Sequence, residues 1–134
     1  MKIKRFQSGF TLIELLIVVV ILGLLMSLVA PAMFSKVDST KIKTAKAQMQ
    51  MLETSLSTYR LDIGSYPVKL DDLTSSDLPG WDGPYIPKLV PFDPWGNAYA
   101  YESPGPEGES FLLQSFGKDG KRGGEGDSVD IIHQ

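Results

Sequence analysis

Gly9-Phe10-Thr11-Leu12-Ile13-Glu14 opens a stretch with no further charge from Leu15 to Ser35. As a helix rising about 1.5 Å per residue, those 21 residues reach roughly 30 Å, the thickness of a bilayer core. Lys2, Lys4 and Arg5 precede it, with no acid among them. The positive-inside rule keeps that end cytoplasmic and puts the C-terminal bulk outside. A secretory signal peptide has a shorter apolar region and a small-residue cleavage site. Here the run is too long, and Ala30-Pro31-Ala32 is a poor site because proline follows directly. A plain single-span anchor leaves Glu14 unexplained. A charge at bilayer depth costs on the order of 2.5–3.5 kcal/mol and marks function.

Past the span, Ile42, Ala45, Met49, Leu52, Leu56, Tyr59 and Ile63 recur every three or four residues. That is one stripe of an amphipathic helix, with Lys43, Lys46, Gln50, Glu53, Ser57 and Arg60 on the other side. Nothing breaks the run from Ala32 to Ile63, so one helix is expected to continue from the membrane segment into a globular head, with Gly64 closing it. Pro31 removes a backbone donor from this helix, and Gly23 weakens it further. A tolerated membrane-helix proline, a kink and a segment able to unwind all remain open there. A short helix is expected near Leu70–Leu73, capped by Asp71 or Asp72.

Residues 79–94 are rich in Pro, Gly and aromatics and predict ordered turns, with Tyr85 and Trp95 against the core edge. Ala98–Glu102 and Phe111–Ser115 read as strands joined by a Pro- and Gly-rich hairpin loop. A further short strand is expected before the Asp93 turn. The fold class is therefore α+β, a long N-terminal helix packed on a small antiparallel β-sheet.

Composition excludes several functions. The formal charge is −3, against a nucleic-acid partner, and no cysteine is available for disulfides or thiolate metal sites. The single histidine, His133, lies at the C-terminal end and reads as a tail residue. No phosphate-binding loop or His–acid metal set occurs, and Asp71 and Asp72 are adjacent rather than facing. No enzyme is expected.

The leader, the Gly9-Phe10 junction, Glu14 and the apolar run together resemble the class III signal of type IV pilins and pseudopilins. The resemblance implies cleavage after Gly9 by a prepilin peptidase, methylation of the new amine on Phe10, and Glu14 as fifth residue of the mature chain. It divides the sequence into a leader (1–9), a transmembrane and filament-core helix (10–34) and a periplasmic head (35–134). The motifs GSYP (64–67), GPYIPKLVPFDPWGNAYAYESPG (83–105) and FGKDGKRGGEGDSVDI (116–131) are similar to those of the major pseudopilin of type II secretion systems. The resemblance implies a pilin-like inner-membrane subunit that polymerises through its N-terminal helix into a periplasmic pseudopilus driving protein export. Its implied partners are further copies of itself, minor pseudopilins, an inner-membrane assembly platform and the prepilin peptidase. In that setting Glu14 would face the amine of a neighbour's Phe10, and the helix would be able to unwind between Gly23 and Pro31. Two other readings stay open. One is a type IV pilin for adhesion, motility or DNA uptake; the other is a membrane-anchored carbohydrate-binding module using Trp81 and Trp95.

Asp119, Glu125, Asp127 and Asp130 sit among Gly117, Gly120, Gly123, Gly124 and Gly126. Hard oxygens on a pliable backbone suit calcium. The twelve residues from Asp119 to Asp130 match an EF-hand in length, but Lys121 and Gly123 occupy its third and fifth positions. From composition, a calcium loop and a solvated acidic tail stand equal. The family resemblance implies calcium, with Asp119, Asp127 and Asp130 as side-chain ligands and backbone carbonyls of Leu113, Ser115 and Val129 completing the shell. Glu125 is expected to face solvent.

Overall fold

The computed structural model describes residues 8–133. Most of the expected leader, residues 1–7, lies outside the described residues. Helix α1 is a single element, Leu12–Ile63, of 52 residues. It is uninterrupted at Gly23 and Pro31, so the missing proline donor does not end it. Gly64 closes it, adopting a φ of 93° and donating its backbone N–H to the Arg60 carbonyl at 2.7 Å. Only glycine enters that left-handed region without a Cβ penalty.

The chain divides into two compact units, one ending at Val37 and the other beginning at Asp38. In the first, every large apolar side chain from Phe10 to Val37 is at least 50% exposed. The helix is long and apolar enough to cross a membrane.

The second unit has a core. Ala45, Met49, Leu52, Leu56 and Tyr59 of α1 are buried, and Ile42 and Ile63 pack partly buried at the ends of the same stripe. They meet Leu70, Leu73, Ile86, Tyr99, Phe111, Leu113 and Ile131. Each buried aliphatic side chain contributes about 1.5–3 kcal/mol relative to exposure.

The sheet is an antiparallel meander of β1 (Ala100–Glu102), β2 (Leu112–Ser115) and β3 (Ile131–His133), in that order. Tyr101 pairs with Leu113, and Leu113 with His133. The third strand is thus C-terminal and not, as expected, upstream of Asp93. Residues 84–92 form no strand, because Pro84, Pro87 and Pro91 each withhold a ladder donor. His133 is a strand residue rather than a loose tail, with Nε2 2.8 Å from Glu53 Oε2 on α1. The short helix at Leu70–Leu73 is a 3-10 turn whose cap position is Lys69. Asp71 and Asp72 lie inside its first turn and do not cap it, contrary to expectation.

The aromatic stretch is tied into the core. Trp81 and Tyr85 meet edge to face at 5.7 Å, and Tyr85 meets Tyr59 at 5.5 Å. The Tyr85 hydroxyl donates to Asp62 at 2.8 Å, and Trp81 Nε1 to the Asp72 carbonyl at 2.9 Å.

Candidate functional site

Two places concentrate chemistry. The first is the entry to α1. Gly9 and Phe10 precede the helix in non-helical backbone, and Phe10 is 91% exposed. Thr11 and Glu14 bond reciprocally. Glu14 N–H donates to Thr11 Oγ1 at 3.2 Å, while Thr11 N–H and its hydroxyl donate to Glu14 Oε2 at 2.8 and 3.0 Å. This is a capping box, which satisfies backbone donors that a helix N-terminus leaves open. Glu14 is the acid of the first turn, where the helix dipole favours negative charge.

The second place is the acidic loop after β2. Asp119 Oδ1 accepts from Lys121 N–H at 3.1 Å, an Asx turn. Asp130 Oδ2 accepts from Gly123 N–H at 2.9 Å, while its Oδ1 is buried with no hydrogen-bond partner. A buried carboxylate oxygen left bare costs free energy unless something positive meets it. Gly124 has a φ of 111° and lies where a Cβ would collide with the Ser128 carbonyl, so the loop folds on itself only with glycine there. Glu125 is exposed, and Gly126–Ser128 forms a 3-10 turn ending at Val129. Leu113 and Ser115 lie on β2, which brings their backbone beside Ile131 and His133 of β3, just past the loop. The Asp127 side chain lies outside the described residues. Among the described residues no three His, Cys, Asp or Glu side chains converge.

Against known proteins, the family described as Type II secretion system (T2SS), protein G matches residues 32–134, and the Prokaryotic N-terminal methylation motif matches residues 4–30. The chain belongs to the type II secretion system protein G family. The type II secretion system core protein G of Pseudomonas aeruginosa is 42% identical over 136 residues, spanning 96% of this chain and 95% of that one. That of Vibrio cholerae is 40% identical, spanning 98% and 94%. The crystal structure of the major pseudopilin from the type 2 secretion system of enterohaemorrhagic Escherichia coli superposes with a TM-score of 0.59. It is 28% identical and covers 74% of this chain and 90% of that one.

As a pseudopilin, the chain has the α+β fold its sequence implied, and the methylation motif encloses Gly9, Phe10 and Glu14. The structure gathers Thr11 with Glu14, and Asp130 with the turn at Gly123. Trp81 and Trp95 are half-buried against the core rather than forming an exposed stacking platform, which removes the observation behind a carbohydrate-binding module. Sequence reasoning passed over Thr11, although Thr-x-x-Glu before an apolar run is the capping-box signature. It also passed over Asp93, Asn97 and the hydroxyl of Ser115. Asp93 followed by Pro, Gly and Asn signals a turn, but nothing in the sequence signals its tie to Ser115.

Proposed function

We propose that this chain is the major subunit of a type II secretion pseudopilus, assembling through its N-terminal helix to drive protein export. The observation that carries the proposal is the first unit, a helix exposing every large apolar side chain and bearing a lone acid at its start. In water that surface would aggregate. It is compatible with two environments, a bilayer and the packed helices of a filament. On passing from one to the other, the apolar face gains helix contacts while Glu14 becomes buried among them. A buried carboxylate needs a partner. Cleavage after Gly9 creates one, the amine of Phe10 on a neighbouring copy. The apolar surface supplies the bulk of the association energy, and the Glu14–amine pair sets register. Gly23 and Pro31 give the helix a weak segment that can unwind as copies pack.

The precursor sits in the inner membrane with its N-terminus cytoplasmic and its head periplasmic, as the basic residues before the span require. Its partners are further copies, minor pseudopilins, the assembly platform and the peptidase that removes residues 1–9. Its role is structural rather than catalytic.

The acidic loop fits calcium. Its donors are carboxylates and carbonyls, and the orphaned Asp130 Oδ1 is the kind of oxygen a cation would satisfy. Asp119, Asp127 and Asp130, with the carbonyls of Leu113, Ser115 and Val129, would hold it. Bound calcium would tie the loop to the sheet in a domain with no disulfide, stabilising the folded head by mass action.

The test is replacement of the protein G of a secreting Gram-negative bacterium by this chain. Cargo should reach the medium. Cargo retained in the periplasm, alongside long surface pili built from this chain, would make it a type IV pilin instead.

A further inference from the structure

The turn at residues 93–97 and the exit of β2 are fastened to each other. Asp93 is 4% exposed, and both its oxygens are engaged. Oδ1 accepts from the backbone N–H of Trp95 at 3.0 Å and of Asn97 at 2.8 Å. Oδ2 accepts from the Ser115 hydroxyl at 2.6 Å. The Ser115 oxygen in turn accepts from Gly117 N–H at 3.3 Å. Asn97 Nδ2 donates to the Gly117 carbonyl at 3.0 Å. Gly120 rests against the same asparagine: a Cβ there would lie 3.1 Å from Asn97 Oδ1, and its φ is 64°. The segment from Ser115 to Gly120 is therefore held by two hydrogen bonds to side chains lying about twenty residues upstream, with Gly120 close against one of them. That segment carries the Ser115 carbonyl and Asp119, two of the six ligands proposed for calcium.

We propose that Asp93 and Asn97 are positioning residues for calcium, fixing the loop entrance without touching the ion. The inference rests on the calcium reading of the loop. Its physical basis is preorganisation. An unfastened stretch from Ser115 to Gly120 must be ordered when the ion binds, at a cost in backbone entropy for each residue fixed. A fastened one has met that cost on folding. Outer-shell partners that orient metal ligands act in the same way, and their loss typically weakens metal affinity about 10- to 100-fold. Ser115 serves twice: its hydroxyl belongs to the clamp and its carbonyl to the shell.

The experiment titrates the full chain in detergent micelles with calcium chloride by calorimetry, and melts the same samples in chelator. Asn97→Ala removes the donor to Gly117. Ser115→Ala removes the clamp hydroxyl and leaves the carbonyl. Glu125→Ala serves as control. The expected result is a calcium Kd raised about tenfold or more in both clamp variants. Melting in chelator should fall in both clamp variants, because each leaves a buried oxygen without its donor, so the calcium Kd is the deciding readout; Glu125→Ala should bind as wild type does. Either clamp variant alone decides, so failure of one to fold leaves the other. A lowered chelator melting temperature with unchanged Kd would make the clamp purely structural and overturn the inference. Wild type that binds calcium beside variants that bind equally well overturns the positioning role alone. Wild type that binds no calcium overturns the calcium reading and this inference with it.

Discussion

At Glu14 two demands fall on one carboxylate. In the single chain it closes the capping box with Thr11. In a filament it would meet the amine of a neighbour. The two roles separate by substitution. Glu14→Gln keeps a side chain able to close the box but removes the charge; Glu14→Ala removes both. Neither should prevent insertion or folding, since the loss is small beside a 52-residue helix and a separate core. Both should abolish filaments, counted in sheared fractions by electron microscopy. Glutamine supporting filaments at wild-type level while alanine does not would reduce Glu14 to a helix cap. Glu14 was legible as a candidate because a lone acid stands out in an uncharged run. Its partner Thr11 was equally legible but needs the helix start to be located to one residue. Asp93 and Ser115, 22 residues apart, could not be joined by any local rule.

Among the elements, α1 was the easiest to read. Its stripe from Ile42 to Ile63 keeps the helical period, and the buried apolar residues of the helix fall on it. The strands were harder. β1 and β2 are three and four residues long, and each began later than alternation implied. β3 follows the glycine loop and has three residues, too few for a period to register. A short strand was expected before the Asp93 turn, but the prolines there exclude that stretch from a ladder. What holds this end of the sheet is tyrosine. The Tyr101 hydroxyl donates to the Pro67 carbonyl at 2.9 Å and that of Tyr99 to Gln48 at 2.6 Å. Burial pushes the Tyr101 hydroxyl up to about 12. Burial, then the charge of Asp93, pushes Tyr99 up as well. An unfolded tyrosine ionises near pH 10. Below that, both states keep their protons and this stabilisation is complete. Above it the unfolded chain loses protons that the folded chain holds, so stability falls as pH rises from about 10 to about 12. The melting temperature should drop across that window, and Tyr101→Phe should flatten the drop. Tyrosinate absorbance of the folded protein titrating entirely near pH 10 would contradict this.

At the scale of the whole molecule, the two units meet opposite requirements. Residues from Asp38 onward bury their apolar side chains in a common core. From Phe10 to Val37 every large apolar side chain is left at least half exposed. An apolar helix surface of this kind is satisfied only in a membrane or among packed helices, and the proposed filament would be the second setting. In the proposed assembly, processing would connect the two, since an uncut leader would carry Lys2, Lys4 and Arg5 into the filament core and deny Glu14 its amine. The most direct measurement is therefore the intact mass of subunits taken from sheared filaments, with fragmentation of the N-terminal peptide. The mature chain should begin at Phe10 with a methylated amine. Filament subunits that retain residues 1–9, or that begin at Pro31, would contradict assembly through a processed N-terminal helix.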